Sequence, residues 1–288
     1  MQPRRPYTVQ LPNRPPLHLG ARTLVMGILN VTPDSFADPG RHVDPRIAVE
    51  SGVRMAADGA DILDVGGEST RPGAEPVGAE EERRRVLPVV EQLAARVSVP
   101  ISIDTYKASV AREAVAAGAS IINDISGLQY EPELGAVAAE TGAALVLMHT
   151  RGRSKEMYGL AVYDDVAAAV ERELGEAISR AERAGVRRDA IVLDPGFGFA
   201  KRAEHSFELL ARLATVAALE RPILSGPSRK SFLKAAIGEV PPGEREWGTA
   251  AAVTASVLFG AHIVRVHNVR AMADVVRVAD RIRAAAGS

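Results

Sequence analysis

Short apolar runs alternate with longer stretches of helical periodicity along almost the whole chain. The runs are Thr23–Asn30, Asp61–Gly66, Ile101–Thr105, Ser120–Ile125, Ala144–His149, Ala190–Asp194, Pro222–Ser225 and Ile263–His267. Each is dominated by Ile, Val or Leu, as expected of strands covered on both faces. Between them, stretches such as Val166–Ala184 and Met272–Ala286 repeat apolar residues at the spacing of an amphipathic helix. Gly118, Gly142 and Gly185 each follow a candidate helix, where a left-handed cap favours glycine. Eight strand–helix units predict an α/β fold, a single (β/α)₈ TIM barrel at 23–288 behind an N-terminal extension at 1–22. A doubly wound open sheet is the alternative, but it usually carries a glycine-rich turn after its first strand. Here that turn reads Asn30-Val31-Thr32-Pro33-Asp34, which favours the barrel.

In such a barrel the chemistry sits where the strands end. Those ends read Asn30; Asp64 running into Glu68-Ser69-Thr70-Arg71; Asp104; Asn123 with Asp124; His149; Asp194; Ser228-Arg229-Lys230; and Arg265 with His267. Any one of them has a plain structural explanation, since a strand-end Asp often caps the next helix and Asn123-Asp124 could organise a turn. Arg265 and His267 are harder to dismiss. Two apart on a strand, they share a face, which puts Val264 and Val266 against the helices and the two cationic groups in the barrel mouth. A cation buried there calls for an anion. Arg229, Lys230, Arg265 and His267 lie in the region where barrels often bind phosphate, and a helix is expected to begin near Ser231, adding its N-terminal N–H groups. Across from them Asp104, Asn123 and Asp194 suit a flat heterocycle rich in N–H and C=O groups.

Composition narrows the chemistry. Lys plus Arg number 35 and Asp plus Glu 36, so nothing recommends a nucleic-acid partner. The longest uncharged run, Trp247–His262, is shorter than the roughly 20 residues of a membrane span. The basic, proline-rich start lacks the apolar centre of a signal peptide. Cysteine is absent, removing thiolate ligands and nucleophiles and fitting a cytoplasmic protein. The six histidines show no close metal-ligand spacing, which leaves room only for a Mg²⁺ held largely by substrate phosphate. Ser225-Gly226-Pro227-Ser228 is no nucleophile elbow.

The strand-end segments also resemble the signatures of the dihydropteroate synthases. Gly27-Ile28-Leu29-Asn30-Val31-Thr32-Pro33-Asp34-Ser35-Phe36 is similar to their first signature and Asp64-Val65-Gly66-Gly67-Glu68-Ser69-Thr70-Arg71-Pro72-Gly73 to their second. Ile103-Asp104-Thr105, Ile122-Asn123-Asp124, Met148-His149, Asp194-Pro195-Gly196-Phe197-Gly198-Phe199, Ser228-Arg229-Lys230-Ser231 and Arg265-Val266-His267 follow in order, so the likeness runs from about Thr23 to the C-terminus. It implies an enzyme joining a pterin pyrophosphate to p-aminobenzoate in folate synthesis. By resemblance, Asp104, Asn123, Asp194 and Lys230 hold the pterin, with Met148 beside it. Asn30, Arg71, Arg265 and His267 take the pyrophosphate, Asn30 also touching Mg²⁺. Asp34, Phe36, Thr70, Arg71, Pro72, Lys230 and Ser231 shape the p-aminobenzoate pocket. A homodimer built on the late helices is implied as well.

Departures from the family pattern are Ala200-Lys201-Arg202, where Gly-Lys-Thr is expected, and Pro227, where a small residue such as Thr is usual. The loop Arg151–Leu160 receives no role. Two rival readings are a methyltetrahydrofolate-binding corrinoid methyltransferase, which shares the pterin pocket but needs no pyrophosphate site, and a noncatalytic pterin-binding module, which should have lost site residues.

Overall fold

A computed structural model describes residues 4–32, 44–69 and 73–286. Eight parallel strands form one sheet: β3 (Leu24–Asn30), β4 (Ile62–Gly66), β5 (Ile101–Asp104), β6 (Ile121–Asp124), β7 (Ala144–Met148), β8 (Ile191–Asp194), β9 (Leu224–Ser225) and β10 (Ile263–Val266). Neighbours follow the order β8-β7-β6-β5-β4-β3-β10-β9, and a parallel bridge between Leu193 and Ile223 joins the two ends into a barrel. All eight expected strands are present, each shorter than its apolar run by one or two residues.

Alternation along each strand sorts the side chains into two cores. Val25, Leu29, Leu63, Val65, Ile101, Ile103, Leu145, Leu147, Ile191, Leu193, Val264 and Val266 face outward into the layer shared with the helices. Leu24, Met26, Ile62, Ile121, Ala144, Val146, Val192, Leu224 and Ile263 fill the barrel itself. The outer ring comprises α1 (Pro45–Ala57), α2 (Ala79–Arg96), α3 (Ala108–Ala116), α4 (Glu133–Thr141), α5 (Val166–Arg183), α6 (Ala203–Ala211), the short α7 (Ala214–Ala217) and α8 (Lys234–Ile237), then α9 (Glu246–Leu258) and α10 (Val269–Ala286). Asp165 starts α5 by accepting the Ala168 N–H at 2.9 Å, and Gly118, Gly142 and Gly185 take the positive φ their cap positions required. Among the described residues no helix is long and apolar enough to cross a membrane.

Two features were not expected. The stretch read as an extension contains an antiparallel hairpin, β1 (Tyr7–Leu11) and β2 (Arg14–Leu19), turning at Asn13 with φ 56°. Its Val9, Leu11 and Leu19 join the interior cluster and close the N-terminal end of the barrel. Burying each is worth about 1.5–3 kcal/mol, so this hairpin is part of the core's stability. His262 holds it through the Arg5 carbonyl at 3.1 Å. Further along, the helix expected at Ser231 is a single 3₁₀ turn, Ser231–Leu233, running into the four-residue α8. Such a short element carries little aligned dipole and adds little to anion binding there.

Candidate functional site

The polar ring at the mouth comes from the inward position after each apolar layer. Above Ile62 stands Asp64, above Ile121 Asn123, above Val192 Asp194 and above Ile263 Arg265, while Asp104 ends β5 on the same face. Arg265 is the hub. Its Nε donates to Asp64 Oδ2 at 2.6 Å and its Nη2 to Asp104 Oδ2 at 2.6 Å. Asn123 Nδ2 donates to the same Asp64 oxygen at 3.1 Å. Asp64 is 0% exposed, and its Oδ1 has no hydrogen-bond partner among the described residues. Asp194 Oδ1 accepts the Gly196 N–H at 2.7 Å, and the Lys230 ammonium lies 3.9 Å from the centre of the Phe199 ring.

Three carboxylates thus share two cations, Arg265 and Lys230, in one poorly solvated layer. Burial pushes the Asp104 carboxyl up to about 7, against the pull of Arg265 and with Asp64 adding to the rise. Burial raises Asp194 as well, opposed chiefly by the Gly196 N–H. Lys230 is pulled down to about 8 by burial and by Arg265. Burial also works against the charge of Arg265, but Asp64 and Asp104 more than offset it and hold the guanidinium firmly charged.

This geometry revises the sequence argument in two places. Arg265 does point into the mouth, but its anionic partners are Asp64 and Asp104 of the protein, so its burial by itself implies no bound anion. Arg229 is turned aside: in a left-handed conformation, φ 58°, its guanidinium reaches Glu246 at 3.3 Å and does not join the cationic group. His267 Nδ1 lies 2.9 Å from Ser228 Oγ, which also accepts the His267 N–H at 3.2 Å, fixing the ring at the rim. Met148 packs with Met157, Phe199 and Ala200 at the mouth. Asn30 ends β3, half-buried, and Ser231 is exposed beside Lys230. Asp124 faces away from the barrel and organises its turn, accepting from Ser126 N, Ser126 Oγ and Leu128 N at 2.8, 2.7 and 2.5 Å. Asp34, Phe36, Thr70, Arg71 and Pro72 lie outside the described residues.

Several contributors escaped the sequence reading. Lys107 joins buried Glu82 to Glu68, anchoring the chain just before Ser69. The loop without an assigned role is pinned to the rim: Lys155 pairs with Glu75 at 2.7 Å and the Arg153 guanidinium sits 4.3 Å from the Tyr130 ring centre. Together with Glu68, Tyr106, Ile125 and Phe199 it walls a small cleft open to solvent. The cleft lies beside the polar ring, on which the titratable groups converge, and its Phe199 is the residue under Lys230. Among the described residues no group of three or more His, Asp or Glu is placed to hold a metal.

Comparison with known proteins places the chain in a family. Residues 26–267 match the profile of the family described as "Pterin binding enzyme". The chain is 49% identical over 256 residues to the dihydropteroate synthase of Escherichia coli K12, covering 89% of this chain and 90% of that one. It superposes on the Xanthomonas albilineans dihydropteroate synthase solved with 4-aminobenzoic acid at a TM-score of 0.87 and 45% identity, over 93% of this chain and 96% of the other. A structure of the enzyme from that organism in complex with 7,8-dihydropteroate gives a TM-score of 0.83 at 42% identity, with the same coverages.

Proposed function

Because the chain belongs to the dihydropteroate synthase family, we infer that it condenses 6-hydroxymethyl-7,8-dihydropterin pyrophosphate with p-aminobenzoate, giving 7,8-dihydropteroate and pyrophosphate. The observation that carries the residue-level reading is the convergence of Asp104, Asn123 and Asp194 at three strand ends, with Lys230 over the Phe199 ring and Met148 packed against that ring. The carboxylates accept from the ring N–H and amino groups, and the Asn123 amide and Lys230 ammonium serve the remaining edge. Pyrophosphate binding we assign to Asn30, Arg265 and His267, with Arg71. To p-aminobenzoate we assign Ser231 and Lys230, with Asp34, Phe36, Thr70, Arg71 and Pro72.

In the reaction the bond from the pterin methylene carbon to the pyrophosphate oxygen breaks, and its electron pair leaves with the oxygen. The arylamine lone pair forms the new C–N bond and the nitrogen then loses a proton. The electron-rich pterin shares the positive charge that develops at the methylene. The protein's task is to orient both partners, stabilise the leaving oxygen and exclude water. Asn30 offers one neutral oxygen, and among the described residues no group of three or more His, Asp or Glu is placed to hold a metal, a donor set suited to a Mg²⁺ carried in on pyrophosphate rather than to a resident metal. When bound, such an ion neutralises charge on the leaving group. The absence of cysteine fits a cytoplasmic setting. Incubation with both substrates and mass analysis of the product tests the assignment: dihydropteroate is expected, and its absence from folded protein contradicts it.

The ammonium of Lys230, drawn down to about 8, gives a pH signature. A pterin that accepts from the charged form binds best below that value, and affinity declines by up to about tenfold per pH unit above it. Titrations of wild-type and Lys230→Arg protein between pH 7 and 10 check this; the decline should vanish in the variant.

A homodimer through the late helices is supported by the apolar side chains they leave exposed. Trp247 is 87% exposed on α9, with Phe259 just past its end and Val278 and Ile282 on α10. Sedimentation should show twice the mass of one chain, and Trp247→Glu with Val278→Glu should halve it. A wild-type monomer at micromolar concentration contradicts the dimer.

A further inference from the structure

We propose that Lys201 is a positioning residue for the pterin: its buried amine ties the ends of β7 and β8 together so that Met148, Asp194 and Phe199 face the ring. The proposal rests on the pterin-site reading above. Lys201 is 1% exposed, and its Nζ lies 2.8 Å from His149 Nδ1, 3.0 Å from the Gly196 carbonyl, 3.0 Å from the Phe199 carbonyl and 3.4 Å from the His149 carbonyl. Burial draws this amine down to about 7, opposed by Asp194 and Glu173; in its charged form its three donors match the three shorter contacts. Each acceptor is next to, or part of, something that borders the pterin. His149 follows Met148. Gly196 donates its N–H to Asp194 Oδ1, and Phe199 carries the ring under Lys230.

The crossing is tight enough to need such a clamp. Gly196 has φ 69°, and a Cβ there would stand 2.1 Å from the His149 carbonyl oxygen. Ala200 takes φ 47°, a conformation that costs a non-glycine residue about 1–2 kcal/mol, and the Tyr163 hydroxyl holds its carbonyl at 2.9 Å. On the far side His149 Nε2 donates to Glu173 at 2.9 Å, which Arg151 also binds. Burial keeps His149 neutral, pushing its pKa down to about 4, so Nδ1 is free to accept from Lys201. A line of contacts therefore runs from Arg151 through Glu173, His149 and Lys201 to the loop beyond Asp194. The amine reaches none of the groups assigned to the substrates, so its action is indirect.

Lys201→Met keeps length and removes all three donors. A purely structural staple would lower thermal stability and leave the folded fraction normal. Positioning predicts more: pterin KM and equilibrium Kd should rise about tenfold or more, while kcat and the p-aminobenzoate KM stay within about threefold. A folded Lys201→Met protein that binds the pterin pyrophosphate like the wild type overturns the proposal. Should that variant not fold, Glu173→Gln decides, by weakening the far end of the line. A rise of about two- to fivefold in pterin Kd supports the proposal and no change overturns it. Binding is read by titration as well as by turnover. A wild type that binds pterin but forms no dihydropteroate would therefore count against the reaction assignment and leave the positioning claim to the titrations.

Discussion

Arg265→Met is expected to abolish turnover and to lower folding stability by about 3–5 kcal/mol, the usual cost of removing one partner from a buried ion pair. The guanidinium neutralises fully buried Asp64 and the Asp104 carboxyl through two 2.6 Å contacts. Without it Asp64 retains the Asn123 amide alone. The variant can relieve the buried charge by taking up a proton, which fixes the sign of its pH dependence. Asp104, which burial already raises and Arg265 holds down, titrates still further above its unfolded value of about 3.9 in the variant, so the folded form binds more protons and stability falls as pH rises beyond 4. Urea unfolding at pH 5 and pH 7.5 checks this: the deficit should be larger at pH 7.5. A deficit under about 1 kcal/mol at both would mean that the triad is not the structural centre of the site.

Asp104→Asn should leave the fold intact, because Asp64 still pairs with Arg265, but it should raise the pterin KM by about 10- to 150-fold. That range corresponds to about 1.5–3 kcal/mol for a hydrogen bond to a charged group. Asparagine has the same shape, yet it presents an N–H₂ where the carboxylate presents an acceptor, either to Arg265 or to a pterin N–H. The effect should fall on pterin and spare p-aminobenzoate. Substrate saturation curves for both compounds separate the two, and a normal pterin KM would remove Asp104 from the ring-binding set.

What the sequence made legible follows from periodicity. A strand alternates with period two, so Val264 and Val266 could be assigned to the helix side and Arg265 to the mouth from three residues alone, and the structure agrees. The identity of Arg265's partners was not legible, because Asp64 is 201 positions away and only barrel closure brings the two together. The hairpin was missed for a different reason: prolines 12, 15 and 16 mask the alternation of Tyr7, Val9 and Leu11, although Pro12-Asn13 between them is a turn signal. Ser231 looked like a helix start because apolar residues follow it, but Gly238 and Pro241-Pro242 end the segment within one turn of helix. Lys201 drew notice only as part of Ala200-Lys201-Arg202, a departure from the family pattern. A lysine is rarely buried, and only the convergence of carbonyls from two strand ends shows why this one is.

The most direct test of the central claim is a time course of pyrophosphate release from 6-hydroxymethyl-7,8-dihydropterin pyrophosphate, with Mg²⁺, in the presence and absence of p-aminobenzoate. The account predicts release that depends on p-aminobenzoate and matches dihydropteroate formed mole for mole. Pterin that binds without releasing pyrophosphate would contradict it and bring forward the methyltransferase or the noncatalytic module.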